Sequence, residues 1–293
     1  MGRVSQKLRN RFRKLLSGAK RSSSSASPTS SVPNFAGMGT VEGVKDVATL
    51  IQEGGDPILS IYVHVQHLAS FCAEHLSGLP ELREYRKIAG NAEEKYLPQG
   101  PPISPLTISY FTTWAFFDLR FGPDRETLGT CMIDLADVLG FDDRLKEAFQ
   151  AFQKSRMGIY EHRGVFGGRV RLRELISDRE VVCYCVSGYG GRPGELWYVR
   201  LCPPLWDLGA YWVAVTTPYV LRGMSKNDWI AYLRRAMLQV ESDNAEAKLE
   251  HLMKYGLNTH HWNEYILQAY VDHQHDAVFL TGLPDVKGSL PHA

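Results

Sequence analysis

Cysteine is scarce in this sequence. The chain has five cysteines in 293 residues, and no two of them form a CxxC pair. A sparse, odd-numbered set without that spacing argues against a disulfide framework and against a zinc knuckle. Cys183 and Cys185 lie two residues apart in an apolar run, so on a strand they would share one buried face. This usage favours a reducing compartment, and we predict a cytoplasmic location.

The sequence also lacks a long apolar run. Its longest uncharged stretch, from Tyr96 to Phe117, is interrupted by four prolines. We therefore expect no transmembrane span. No apolar segment follows the basic start, so we expect no secretory signal. Gly2 is present, but Gln6 stands where a myristoylation motif requires Ser or Thr.

Several well-known catalytic motifs are missing. The chain contains no G-x-S-x-G, no HExxH and no GxGxxG, which argues against the enzyme classes that those motifs identify. "SGYGGRPGELW" is rich in glycine, yet it lacks the Gly-Lys-Ser/Thr ending of a phosphate loop. We predict a long hairpin loop here, in which Tyr189 and Arg192 could contact a ligand.

Acidic residues are absent from the first 34 positions. That segment holds eight of the 33 lysines and arginines, which leaves 25 basic against 32 acidic residues in the rest of the chain. The net charge of +1 therefore combines an N-terminal segment of +8 with a body of about −7. Such an asymmetry indicates an anionic partner for the segment. Its basic residues are Arg3, Lys7, Arg9, Arg11, Arg13, Lys14, Lys20 and Arg21.

We predict that residues 1–34 form a disordered basic arm, which contains a short amphipathic helix and lies outside the core. Val4, Leu8, Phe12, Leu15 and Leu16 are spaced as one helical stripe, and "SSSSASPTSSVPN" is a Ser/Pro linker. Three roles are open for the arm. It can bind nucleic acid or an acidic protein, act as an organelle transit peptide, or lie on a membrane surface, in that order of preference. The candidate anion-binding residues are Arg9, Arg11, Arg13 and Lys14.

Short β-type runs separated by turn signals fill the region from Gly158 to Pro218. They predict a small antiparallel sheet or barrel at residues 156–220. Residues 35–155 show mainly helical patterns, although "SPLTISYFTTWAFFDLRFG" fits either a strand or a buried helix. Residues 221–293 are predicted to form C-terminal helices that pack on the helical region. The predicted fold class is α+β, a mostly helical body with the β-domain inserted in the C-terminal half.

"GRVRLREL" alternates Arg169, Arg171 and Arg173 with apolar residues. On a strand this places three guanidinium groups on one face. Beside Tyr184, Tyr189 and Trp197 they could hold single-stranded nucleic acid through phosphate contacts and stacking. The alternative is an edge strand that its charges protect from aggregation.

The stretch "HHWNEYILQAYVDHQHD", residues 260–276, is the strongest candidate for metal chemistry. If it is a helix, His261, Glu264, Gln268, Asp272 and His275 fall on one narrow stripe. Such a stripe could bind a divalent metal. We prefer the simpler interpretation that it is the solvent face of a mostly buried helix.

Further ligands for that metal would have to come from another element. His64, His67 and His75, which share one side of a predicted helix, are the candidates.

A second group of acids surrounds a Gly-Pro-Asp turn. Asp118, Asp124 and Glu126 could bind a divalent ion, as in nucleases that use metal-bound water. Solvated acids in a turn are the commoner explanation.

Together these features favour a non-enzymatic binding or adaptor protein, whose arm engages nucleic acid or an acidic protein. The alternative is a metal-dependent hydrolase or nuclease, with His261, Glu264, Asp272 and His275 as metal ligands. Apart from that divalent metal, no cofactor is predicted.

Overall fold

In a computed structural model of the chain, the described residues are 1–22, 47–96, 105–205, 207–256, 268–272, 274 and 277–281. The helices in these ranges are α1 (Arg3–Ser22), α2 (Val47–Gln52), α3 (Pro57–Leu76), α4 (Arg83–Tyr96), α5 (Pro105–Phe117), α6 (Leu128–Leu139), α7 (Asp143–Lys154), α8 (Lys226–Leu238) and α9 (Ala245–Tyr255). A 3-10 turn at Pro80–Leu82 precedes α4. The strands are β1 (Arg156–Phe166), β2 (Arg169–Glu174), β3 (Glu180–Cys185), β4 (Leu196–Leu201), β5 (Trp212–Ala214), β6 (Tyr219–Arg222), β7 (Gln268–Asp272) and β8 (Ala277–Thr281).

The chain divides into two compact units. Unit 1 comprises Met1–Ala89 and Ala115–Gln153, and unit 2 comprises Gly90–Trp114 and Lys154–Ala293. Helices therefore make up unit 1, whereas most of α5, the sheet and the last two helices belong to unit 2. The α+β class predicted from the sequence is confirmed.

Aromatic side chains form much of the core of unit 1. The rings of Phe117 and Phe152 stack with centroids 5.0 Å apart, and Tyr62 meets Phe152 edge-on at 5.4 Å. Helix α3 begins where its sequence predicts, because the Asp56 side chain accepts hydrogen bonds from two backbone N–H groups of the first turn and Pro57 follows it.

Helix α1 belongs to this core, so the expectation that the arm lies entirely outside it was wrong. The predicted stripe is real: Val4, Leu8 and Phe12 are all buried, and α1 packs against α6. The sequence shows that α1 has an apolar face, but the surface that covers this face is formed more than 100 residues later in the chain.

Segment 105–117, which fitted either a strand or a buried helix, is helix α5. Phe111, Trp114, Phe116 and Phe117 point in different directions around it, yet all are buried. A helix that is apolar on most sides is covered by protein over most of its surface, although Ile108 of α5 is 49% exposed. Neither α5 nor any other helix in the described part of the chain has the length and hydropathy of a membrane span.

The sheet of unit 2 is mixed, not antiparallel as expected. Its strand order is β5-β3-β2-β1-β4-β6-β8-β7, and the pairs β3–β5 and β6–β8 are parallel. Each parallel pair joins strands that are not consecutive in the chain. A pattern of short strands and tight turns reveals hairpins, whereas a crossover connection has no local signature.

The two faces of the sheet differ. One face carries an apolar core, while helices partly cover the other. On that second face the ring of Tyr110 in α5 stacks on Tyr219 of β6 with centroids 4.6 Å apart. Helix α9 also packs on β1. On β2 and β3 buried and exposed residues alternate, so this end of the second face is open to solvent. The core face includes Tyr160, Val170, Leu172, Cys183, Trp197, Val199, Val220 and Phe279.

The helix predicted for residues 260–276 is wrong over Gln268–Asp272. These five residues form β7, which pairs antiparallel with β8, so that Asp272 lies opposite Ala277. In a strand residues 268, 270 and 272 share one face, and the helical stripe does not form there. The β-forming residues of "QAYV" and "AVFL" explain the pairing. His261, Glu264 and His275 lie outside the described residues.

All five cysteines are free and buried. Cys183 and Cys185 lie on the core face of β3, as their spacing predicted. Burial is the main cause that raises the pKa of the Cys72, Cys131 and Cys202 thiols to about 12. A buried thiol of this kind is protonated and unreactive at neutral pH.

Candidate binding surface on the sheet

Strand β2 presents its arginines to solvent because of its alternating sequence. Val170 and Leu172 point into the core, so Arg169, Arg171 and Arg173 must point to the opposite face. Glu174 ends the strand in a buried ion pair, in which its carboxylate lies 2.6 Å from the guanidinium of Arg156. The three arginines are therefore displayed by a strand that is fixed on its other side and at its end.

The arginines differ in their partners. Arg173 forms an ion pair with Asp178. The guanidinium carbon of Arg169 lies 4.0 Å from the centroid of the Tyr211 ring. Arg171 has no ion-pair partner among the described residues. Two of the three positive charges thus remain available to an anion.

Apolar and aromatic side chains lie beside these arginines. Phe166 is opposite Arg169 in the β1–β2 register and is 85% exposed, and Val182 is opposite Arg171 and is 42% exposed. The half-buried Tyr184 follows on β3, with its ring centroid 6.5 Å from that of Tyr211. We name this surface the arginine face, which consists of Phe166, Arg169, Arg171, Arg173, Val182 and Tyr184.

The turn that carries Phe166 needs glycine. Gly167 and Gly168 connect β1 to β2 with φ values of +57° and +72°. Positive φ at two successive residues is the requirement of a tight hairpin turn, and glycine meets it without strain. The turn holds Phe166 and Arg169 side by side at the tip of the hairpin.

A second feature of unit 2 is an open cleft of about 460 Å³. It lies where β4 begins, β6 ends and α8 starts. Glu161 on its wall accepts from Lys226 at 2.6 Å and from Arg163 at 3.1 Å. The hydrogen bond from Lys226 is the main cause that lowers the pKa of Glu161. Its lining residues include Glu161, Arg192, Glu195, Leu221, Arg222 and Lys226.

Glu195 is held firmly in this cleft. Its Oε2 atom accepts from the hydroxyl of Tyr189 at 3.0 Å and from Nε1 of Trp197 at 3.1 Å. Burial, followed by the nearby charge of Glu195, raises the pKa of Tyr189. Tyr189 and Trp197 belong to the core face, so the expectation that they stack beside the β2 arginines was wrong.

Two arginines of the cleft have no carboxylate partner. Neither Arg192 nor Arg222 forms an ion pair within the part of the chain that the structure describes. Arg222 is positioned by Phe279, whose ring centroid is 4.7 Å from its guanidinium carbon. Both guanidinium groups also act to lower the pKa of Tyr189, which places their charges near the Glu195 network.

The basic residues of α1 are arranged differently. Arg9 forms an ion pair with Asp137, and Arg11 with Glu81 at 3.2 Å. Arg13 and Lys14 are exposed, and neither has an ion-pair partner among the described residues. Of the four predicted anion-binding residues in the arm, two are therefore already paired within unit 1.

Asp124 and Glu126, two of the acids predicted around the Gly-Pro-Asp turn, accept hydrogen bonds from the start of α1. Glu126 is buried and accepts from the backbone N–H groups of Val4 and Ser5, at 2.8 and 2.9 Å, and from the Ser5 hydroxyl at 2.5 Å. Asp124 accepts from the backbone N–H of Arg3 at 2.7 Å. These carboxylates cap the first turn of α1, as negative groups at a helix N-terminus do.

The predicted metal ligands are not brought together in the described residues. His64 is buried, whereas His67 and His75 are exposed. Asp272 lies on β7, and the other three predicted ligands fall outside the described ranges. Within those ranges no group of three His, Cys, Asp or Glu side chains could hold a metal ion. The metal site stays a prediction.

Sequence reasoning did not identify Glu195, Arg222 or Lys226. The sequence contained a signal for Glu195, because this residue stands two positions before Trp197. In an extended segment, residues at this spacing lie on one face. Arg222 and Lys226 carry no such signal, since the fold alone brings them to Glu195. Comparison of the chain with protein-family models, with curated proteins and with solved structures found no match.

Proposed function

We propose that this chain is a binding protein for single-stranded nucleic acid and that the arginine face contacts the strand. The observation that carries the proposal is the position of Arg169 and Arg171, which are exposed, unpaired with carboxylates and close to the exposed ring of Phe166 and the half-buried ring of Tyr184. Guanidinium groups bind phosphates, and aromatic rings stack on bases.

The geometry of the strand supports an extended ligand. Side chains on one face of a β-strand repeat every two residues, roughly 7 Å apart. Arg169, Arg171 and Arg173 therefore form a straight row across which one backbone can run. Phe166 and Tyr184 lie beside the same end of that row and provide flat surfaces for bases that are not paired.

The single-stranded form is favoured over duplex for a steric reason. The rings of the arginine face can stack only on bases whose faces are accessible, and a duplex hides these faces. The overall acidity of the body does not oppose binding at this surface, because the local charge decides the approach of a ligand within a Debye length, about 8 Å at physiological salt.

The arm has a smaller part in this proposal. Its apolar stripe is buried in unit 1, and two of its predicted anion-binding residues are paired there. Lys7, Arg13 and Lys14 remain on its exposed side. The role of the arm as a tether stays a prediction.

The test uses fluorescently labelled single-stranded DNA and RNA of mixed sequence, titrated with protein at several salt concentrations. We expect the double variant Arg169→Gln/Arg171→Gln to bind more weakly. The salt slope should fall by about 1.4, since each lost phosphate contact removes roughly 0.7 for single strands. Phe166→Ala should weaken binding about tenfold through lost stacking.

The matched control is Arg86→Gln/Lys87→Gln, which removes the same charge from exposed positions of α4. It should leave the affinity and the salt slope nearly unchanged. If both double variants weaken binding equally, the arginine face is not the site. If neither nucleic acid binds the wild type at low salt, or an acidic peptide binds more tightly, the proposal is wrong.

A further inference from the structure

One hydrogen-bonding atom in the cleft is positioned but unused. Tyr189 and Trp197 both donate to Oε2 of Glu195, and Oε1 accepts no hydrogen bond within the described part of the chain. Two donors on one oxygen fix the plane of the carboxylate. Oε1 is thus an oriented acceptor on a residue that lines the cleft, and it matches a ligand with an N–H donor.

The same cleft offers donors for an anion. Arg192 and Arg222 have no ion-pair partner among the described residues, and the contact with Phe279 holds Arg222 in place. The third cation, Lys226, already neutralises Glu161. The available groups are therefore one acceptor and two guanidinium groups, together with the apolar side chains of Leu196 and Leu221.

We propose that the cleft binds one nucleotide, whose base carries an exocyclic amino group. The amino group donates to Oε1 of Glu195, the phosphate accepts from Arg192 and Arg222, and the base rests against Leu196 and Leu221. A carboxylate that accepts from the amino group of cytosine is a known mode of base recognition. The volume of about 460 Å³ lies in the range of small-molecule sites.

This inference rests on the proposed function, to which it adds base preference. The arginine face holds the strand without regard to sequence, whereas Glu195 selects one base in it. Cytidine and uridine monophosphates are the sharpest probes, because they differ at position 4 of the ring, where cytosine has a donor and uracil an acceptor. We expect the wild type to prefer the cytidine nucleotide by about tenfold.

Glu195→Gln gives a test that a merely structural role cannot mimic. Tyr189 and Trp197 are donors, so the amide oxygen must take the Oε2 position and the amide NH₂ group must take the Oε1 position. The group that faces the ligand changes from acceptor to donor. We therefore expect the preference to invert, with the uridine nucleotide bound more tightly than the cytidine nucleotide in calorimetric titration.

A second variant separates base recognition from phosphate recognition. Arg222→Gln should weaken the binding of cytidine monophosphate and leave that of cytidine, which has no phosphate, unchanged. This exposed residue can be replaced without disturbing the core, so the test stands even if Glu195→Gln fails to fold. Equal binding of the two nucleotides to the wild type, or an effect of Arg222→Gln on cytidine, overturns the inference.

The inference and the proposed function can fail separately. If oligonucleotides bind through the arginine face but neither mononucleotide binds, the cleft is not a nucleotide site. If the mononucleotides bind with the expected preference and oligonucleotides do not bind at all, the proposed function is wrong and the cleft is a site for free nucleotides. Arg171→Gln, which lies outside the cleft, should change only the oligonucleotide affinity.

Discussion

Helix α1 and strand β2 both combine arginines with an apolar face, but different shares of their arginines form ion pairs. In α1, Arg9 and Arg11 form ion pairs with carboxylates of unit 1. In β2, Arg169 and Arg171 have no carboxylate partner in the described residues. A high density of positive charge in a segment therefore does not show which of its arginines stay unpaired. Pairing, which only the fold determines, decides which charges remain available.

The largest effect on stability is expected at the apolar face of α1. Leu8 is 1% exposed, and we expect Leu8→Ala to lower the free energy of unfolding by about 3 kcal/mol, the usual cost of a buried Leu→Ala change. Leu15, on the same helix, is 37% exposed and serves as the matched control. Leu15→Ala should cost less than about 1 kcal/mol. Denaturant unfolding measures both.

Equal small effects for these two variants would mean that α1 is not docked in solution. The arm would then be free, as the sequence alone suggested, and its basic residues would be available to a partner. Protease sensitivity of residues 1–22 would show this independently.

The next largest effect is expected at the N-terminus of α1. Oε2 of Glu126 accepts from the backbone N–H of Val4, and Oε1 accepts from Ser5. In Glu126→Gln the amide NH₂ group must face one of these donors, so we expect a loss of about 2 kcal/mol. Asp137→Asn, which changes the exposed partner of Arg9, should cost no more than about 0.5 kcal/mol.

If Glu126→Gln and Asp137→Asn have the same effect on unfolding, the buried carboxylate does not anchor the helix. The exposed Arg9–Asp137 pair would then stabilise α1 as much as the buried carboxylate of Glu126 does.

Strand β2 is anchored by the carboxylate of Glu174, and a pH titration of stability tests this anchor. Burial opposes ionisation of Glu174, but the hydrogen bond and the charge of Arg156 outweigh it and lower the pKa. A lowered pKa contributes stability above the unfolded value, about 4.3 for Glu, which is lost as the pH falls below it. We expect Glu174→Gln to flatten the decrease in melting temperature of unit 2 between about pH 5 and 3.

The control is Glu147→Gln, at the carboxylate of an exposed pair with Arg144. Its acid profile should match that of the wild type. An unchanged profile for Glu174→Gln would show that the Arg156 pair does not stabilise the sheet through its charge.

The smallest effects on stability are expected from the arginines themselves. Arg169→Gln/Arg171→Gln should change the free energy of unfolding by less than about 0.5 kcal/mol, because exposed charges contribute little. Arg9→Gln/Arg11→Gln should lower it by up to about 1 kcal/mol through two lost surface pairs. Oligonucleotide affinity should follow the opposite order and decrease only in the double variant Arg169→Gln/Arg171→Gln. A decrease in the double variant Arg9→Gln/Arg11→Gln would instead indicate that the arm binds the oligonucleotide.

Local features of the fold were predictable from the sequence. Alternation in "GRVRLRE" predicted which side of β2 its arginines occupy, and the stripe of Val4, Leu8 and Phe12 predicted one buried face of α1. Both depend on the period of a single element, which a short sequence shows completely.

Features that join distant segments were not predictable. The cap of α1 comes from Glu126, and the parallel pairs β3–β5 and β6–β8 follow crossover connections. The cleft is the extreme case, because Arg192 and Glu195 come from the loop between β3 and β4, whereas Arg222 comes from the end of β6. The helix expected at 260–276 was wrong over 268–272, which form β7. A short apolar run such as the one in this segment fits a helix or a strand equally well.

The buried thiols give each unit its own chemical reporter. Cys72 and Cys131 lie in unit 1, and Cys183, Cys185 and Cys202 in unit 2. A protonated, buried thiol reacts with an alkylating reagent only after the surrounding structure opens. Brief alkylation during denaturation, followed by peptide mass spectrometry, would therefore record which half of the molecule opens first, without any engineered label.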